Sequence, residues 1–206
     1  FLLSTYVLES IVLYNFDYND EIQKRKNISY AIICFALSVA VAQLIKSILI
    51  ISNNSLVLLF FLWLFAIVLI GFATKSYRFI SKMPFNRLVI QKNYPMSFSY
   101  TGFIWGWSLI ISTALHHPLN NIKWYSIQVI LKILLAAIIF PIFKIAITKT
   151  YSLQDEFNQA RIDKEIAEIT PPLIGQGIYE GLLFLTCSIL TTLITEHVNF
   201  GTFYPV

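Results

Sequence analysis

PLIGQGIYEGLLFLTCSIL, residues 172–190, is long and apolar enough to cross a bilayer as a helix, yet it carries Gln176 and Glu180. A carboxylate at that depth costs about 3 kcal/mol on insertion scales, so an intramembrane acid marks a functional or packing site whose partner must be sought. At 3.6 residues per turn, Gln176, Glu180, Cys187 and Thr191 fall along one face. Gly177 and Gly181 form a small-xxx-small pair beside them, which lets a second backbone approach closely. That face seeks protein.

The rest of the chain has the same character. Of its 206 residues 57% are hydrophobic and only 13% charged, about half the charge of an average soluble domain. Charge-poor runs extend over Phe1–Phe16, Asn27–Ile51, Ser55–Thr74, Phe98–Leu115, Tyr125–Ile147 and Pro172–Thr195. Each reads as a helix able to cross about 30 Å of hydrocarbon, except the first, which is short and reads as the tail of a longer span. The expected fold is all-α integral membrane: one polytopic domain over residues 1–206, a six-helix bundle of three out-in-out hairpins (1–54, 55–124, 125–206).

Lysine and arginine counts orient it. The three long loops hold Lys24, Arg25, Lys26, Lys75, Arg78, Lys82, Arg87, Lys92, Lys149, Arg161 and Lys164, against Lys123 alone in the opposite connections. The bias places the long loops in the cytoplasm, or in the matrix of an organelle, and the C-terminus outside. The middle loop, with Lys75, Arg78, Lys82, Arg87 and Lys92 and no acid, suits anionic headgroups or an acidic partner. In the last loop Ser152 and Asp155 fit a capping box, and Phe157, Ile162, Ile166 and Ile169 fit an amphipathic helix. Basic residues placed between spans serve topology, so no nucleic-acid partner is expected.

Three hairpins of equal orientation make any internal repeat a parallel one. Two turns support it: EIQKRKNISYAI and RLVIQKNYPMSF each set Lys-Asn before the returning span, at Lys26-Asn27 and Lys92-Asn93. Glu21, then Asn27, then Ala31 in the first hairpin, with Asn93 in the second, resemble the YjfL-like bacterial inner-membrane proteins (domain of unknown function 350). The likeness covers about residues 1–115. Arg87 replaces the acid in the second turn, and the third turn lacks Lys-Asn. The resemblance implies a multi-pass bacterial inner-membrane protein and carries no activity with it.

Polar residues inside the spans supply the remaining candidates. The fourth span repeats the glycine device with Gly102 and Gly106 among Ser99, Thr101, Ser108 and Ser112, and the second offers Ala36, Ala40 and Gln43. Glu180 and Glu9 lie at about the same depth, roughly 10–12 Å from the cytoplasmic interface. Lys144 can snorkel outward or turn toward either acid. His116, His117 and His197 lack an accompanying ligand cluster, and Cys34 and Cys187 sit in apolar runs, so neither metal nor disulfide is expected. No phosphate loop, dinucleotide fingerprint, nucleophile elbow or zincin helix occurs, and no cofactor is expected. The leading expectation is a non-enzymatic membrane subunit that packs against other integral membrane subunits. One alternative is an ion or proton channel or secondary transporter using Glu180 and Glu9. Another, prompted by richness in Phe, Ile, Leu, Tyr and Asn, is an organelle-encoded subunit of a respiratory or photosynthetic complex.

Overall fold

The computed structural model describes residues 1–52, 55–81, 84–117, 121–150, 174–198 and 200. Lys82, the stretch from Ser152 to Pro172 with its capping box and amphipathic pattern, and Val206 lie outside them. Every regular element among the described residues is helical: α1 (Leu2–Val12), a π-helical turn (Asn19–Lys24), α2 (Ile28–Ser52), α3 (Leu56–Ser81), α4 (Phe85–Ile90), α5 (Tyr94–Leu115), α6 (Ile122–Thr150) and α7 (Ile174–His197).

Four of these, α2, α3, α6 and α7, are long and apolar enough to cross a membrane. The first expected span is shorter than its apolar run. Helix α1 has 11 residues, about 16 Å of rise. It ends where Leu13 donates to the Glu9 carbonyl and the chain turns toward Asp17, whose carboxylate accepts from the Asn19 amide at 2.8 Å. The fourth begins four residues earlier than its apolar run, because Asn93 caps it by accepting the Met96 amide at 2.9 Å and Pro95 suits its first turn. Two short elements, the π-helical turn and α4, occupy stretches that the sequence reads as loop.

The outer surface carries large apolar side chains as the core does, and the core holds hydroxyls among its apolar residues. Ser29, Ser97, Ser99, Ser108, Ser188, Thr191 and Asn27 are buried, while Leu56, Val57, Phe60 and Phe72 of α3 and Leu134, Ile138 and Ile142 of α6 are exposed. Exposed apolar stripes on spanning-length helices around a hydroxyl-rich interior are the pattern of a membrane protein. Helix α6 buries one stripe, Tyr125, Val129, Lys132, Ala136 and Phe140, out of its 29 residues. Helix α5 is its opposite. Sixteen of its 22 residues are buried, and six Ser and Thr and two Gly are among the 22.

Position explains composition. Helix α5 stands in the middle, between α2 on one side and α7 on the other, with α3 and α6 also against it and α4 at its start. A helix surrounded by protein needs no apolar surface for lipid, and its hydroxyls find protein partners. Helix α1 packs on α2 and α3, where Trp63 Nε1 donates to Ser4 Oγ at 2.6 Å. An aromatic cluster of Tyr77, Phe85, Tyr100, Phe103, Phe140 and Phe184 fills the space where α3, α4, α5, α6 and α7 converge.

Candidate functional site

The glycine pairs of α5 and α7 face each other. A Cβ built on Gly102 falls 2.0 Å from the Gly181 carbonyl oxygen, and one on Gly177 falls 2.2 Å from that of Pro95. On Gly181 it falls 2.6 Å from the Phe98 oxygen, and on Gly106 2.1 Å from Ser188 Oγ. Real Cβ atoms never approach other atoms that closely, so α5 and α7 touch main chain to main chain at Gly102, Gly177 and Gly181, while Gly106 makes room for the Ser188 side chain. Gln176 and Glu180 flank the crossing and are half-buried. Lys144 of α6 sets its ammonium over the Phe184 ring, 5.0 Å from the centroid and one turn beyond Glu180, a cation–π contact that holds the lysine against α7.

The face of α5 toward α2 is built differently, as a ladder of hydrogen bonds. Ser29 and Ser97 share the first rung. Trp105 Nε1 donates to the Ala36 carbonyl at 3.2 Å, Ser108 to Gln43 Oε1 at 2.8 Å, and Ser47 and Ser112 meet at 2.5 Å. The small side chains of Ala36 and Ala40, both fully buried, let the helices approach at these rungs. Of these partners only Gln43, the alanines, Ser108 and Ser112 stand out in the sequence. Ser29 and Ser47 do not, because a serine in an apolar run is as well satisfied by its own preceding turn.

At one end of the bundle the two Lys-Asn turns lock together. Lys26 and Lys92 both take left-handed backbone, with φ of 50° and 56°, and each is followed by a helix-capping Asn. Asn27 Oδ1 accepts the Tyr30 amide at 3.2 Å. Asn27 Nδ2 donates to Glu21 Oε2 at 2.7 Å and to the Val89 carbonyl at 2.9 Å, Arg25 donates to Glu21 Oε1 and to the Ile90 carbonyl, and Lys92 reaches back to the Arg25 carbonyl. Glu21, 5% exposed, is thus fully engaged by an arginine and an asparagine. The π-helical turn widens the backbone there so that Glu21 points inward. On its outer side Asp20 accepts from Lys24 and holds that ammonium above its usual range.

The other singled-out residues separate. Of the basic loop, Lys92 belongs to this clamp, Arg87 is exposed, and Lys75 and Arg78 stand together near the end of α3. Glu9 of α1 lies beside Cys34 and Tyr30 of α2, whereas Glu180 is on α7, whose main neighbours are α5 and α6. At the far end, burial and the nearby Lys132 charge lower the His117 pKa, and Tyr125 ties α6 to α5 by donating to the Leu115 carbonyl at 2.8 Å. Among the described residues no group of three or more His, Cys, Asp or Glu is placed to hold a metal ion.

The model of the family described as Domain of Unknown Function (DUF350) matches residues 51–195. That stretch runs from the end of α2 to near the end of α7, and the chain belongs to this family. The match takes in the third helical pair and leaves out the turn of Glu21 and Asn27, so it overlaps the likeness read from the first two turns only from residue 51 onward. No curated protein and no solved structure matches the chain.

Proposed function

We propose that this DUF350 protein is a non-enzymatic multi-pass subunit that works by packing within a membrane assembly, its helices arranged as three hairpins, α1–α2, α3–α5 and α6–α7. The members of each pair are in contact. Sixteen buried residues on α5 and the backbone-to-backbone crossing with α7 carry the reading: the middle of the bundle is occupied by close-packed protein, which suits a scaffold better than a conduit. The exposed apolar stripes of α3 and α6 serve lipid and neighbouring integral subunits, and the basic loops face the cytoplasm or matrix, where they meet anionic headgroups.

Purification of the full chain in mild detergent tests the reading. The expected result is a particle larger than the 23.7 kDa chain, with co-purifying membrane protein or further copies. A lone monomer overturns it. Reconstitution separates it from the transporter reading: the scaffold leaves liposomes without ion or proton flux, and flux that disappears in Glu180→Gln with assembly intact favours the transporter. For sidedness, Arg87→Cys and Lys123→Cys, both at exposed positions, are labelled with an impermeant thiol reagent in intact cells. Only Lys123→Cys should react.

A further inference from the structure

Helix α1 carries an acid into the apolar layer. Three contacts keep α1 and α3 in parallel step: Ser4 with Trp63 at 2.6 Å, Ile11 Cδ1 at 4.0 Å from the Cβ position of Gly71, and the Tyr14 ring beneath the Lys75 ammonium at 5.3 Å. Glu9 therefore stands level with Val68 and Leu69. Over residues 64–73 α3 reads LFAIVLIGFA, with no polar side chain. The next cation along it, Lys75, is about 9 Å further toward the basic end and is engaged over Tyr14. Lysine and arginine escape such depths on long stems, but a glutamate has only two methylenes to do so.

Helix α2 supplies the rest of the surroundings. Cys34 and Tyr30 lie beside Glu9. Glu21, on the far side of Tyr30, is already held by Arg25 and Asn27, each at 2.7 Å. Among the described residues no lysine, arginine or histidine forms an ion pair with Glu9. A carboxylate in an apolar setting keeps its charge through a nearby cation or several strong donors. Here the first is missing among the described residues, and the second is limited to a thiol, which is a weak donor, and one phenol. The neutral acid is the favoured form. Glu9 is half-buried, with Tyr6 and Ser10 exposed beside it on α1, so its carboxyl reaches the surface that lipid covers.

We propose that Glu9, with Cys34 and Tyr30, is a proton-binding site in the apolar layer between α1 and α2, holding its proton at neutral pH and open to an apolar carboxyl reagent arriving through the lipid. The ligand is the proton itself and needs no cavity. Bound, it removes the charge that would otherwise draw α1 away from α2 and α3 toward water. Glu180 takes no part, since it belongs to α7, whose main neighbours are α5 and α6. The site stands whether or not the chain packs with other subunits.

Labelling of the full chain in liposomes with dicyclohexylcarbodiimide, mapped by peptide mass spectrometry, provides the test. The reagent reacts with the protonated acid. The acid's proton passes to a carbodiimide nitrogen, its oxygen bonds to the central carbon, and acyl migration to nitrogen leaves a stable N-acylurea with nothing lost. At neutral pH Glu9 should be labelled about tenfold or more faster than the exposed Asp17, and its rate should fall as alkaline pH removes the proton. Cys34→Ser sets a stronger donor beside the carboxyl, favours the charged form, and should move that fall to lower pH. Infrared difference spectra between the wild type and Glu9→Gln, which keeps the side chain's shape, should show a protonated-carboxyl C=O band at neutral pH that disappears at alkaline pH. If Glu9→Gln does not fold, the pH dependence of labelling in the wild type decides alone. Glu9 labelled no faster than Asp17, labelling indifferent to pH, or no such band at neutral pH overturns the proposal. A labelled monomer upholds it and refutes the assembly reading alone.

Discussion

Helix α5 meets α7 and α2 by opposite means. Toward α7 it offers absence of side chain, so that Gly102 and Gly181 bring main chain against main chain. Toward α2 it offers hydroxyls and an indole, which bond to Ser29, Ala36, Gln43 and Ser47 at successive levels. The two contacts differ in how they fail. A glycine crossing fails at once, because any added atom must push a backbone aside. A ladder loses one rung at a time, and interhelical hydrogen bonds within membranes average only about 0.6 kcal/mol each.

The largest effect should therefore come from Gly102→Leu or Gly181→Leu, at a cost of about 3 kcal/mol or more, since the obstructing atoms are main chain that cannot rotate away. Thermal denaturation in detergent, followed by size-exclusion fluorescence, should show loss of the folded species. Gly175 supplies the control: a Cβ there meets nothing within 4 Å, and Gly175→Ala should be neutral or gain a few tenths of a kcal/mol from helix propensity. Equal losses at Gly175 and Gly102 would remove the distinction between the two faces.

Next in size is the clamp that joins the starts of α2 and α5. Asn27→Ala removes a helix cap, a partner of the buried Glu21 and a donor to the Val89 carbonyl together, and should cost about 2–3 kcal/mol. Asn93→Ala removes only the cap to Met96 from its side chain and should cost about 1 kcal/mol. Comparison of the two denaturation midpoints checks whether the inter-turn bonds, rather than capping alone, hold the α2 side of the molecule. Below both stand Ser108→Ala and Ser112→Ala, each expected near 0.6 kcal/mol and close to additive, because they lie on different rungs.

Much of this architecture is legible in the amino-acid sequence, and the remainder has physical reasons to stay hidden there. Composition and apolar run length reveal an all-helical membrane chain. The spacing of Gly102 with Gly106 and of Gly177 with Gly181 marks surfaces for close approach, but nothing in a spacing says that the two surfaces meet each other. The Lys-Asn dipeptides point to helix starts. Their mutual clamp is invisible because its acceptors are the carbonyls of Val89, Ile90 and Arg25, and a carbonyl has no letter in the sequence. Helix α1 is shorter than its apolar run because hydropathy records which solvent a segment tolerates, not where its backbone turns.

The smallest effect concerns neither face, which makes it a useful check on both. His117 follows α5 at the far end, half-buried, with Nε2 lacking a hydrogen-bond partner among the described residues. Burial first, and the Lys132 charge second, lower its pKa. The folded state therefore binds its proton less readily than the unfolded state, where the value is about 6.5. The stability tied to the neutral ring is present above that pH and is lost as pH falls through the window from about 6.5 down to the lowered folded value. Thermal midpoints measured from about pH 7.5 to about pH 5.5 should fall in the wild type and flatten in His117→Asn, by less than any glycine or clamp substitution changes them. Because His117 touches neither the glycine crossing nor the ladder, its pH dependence should add to Gly102→Ala and to Ser108→Ala without interaction. A pH slope that changes with either variant would mean that the two faces of α5 are coupled through its far end, and the contrast between them would then hold only for the half of the helix nearest Asn93.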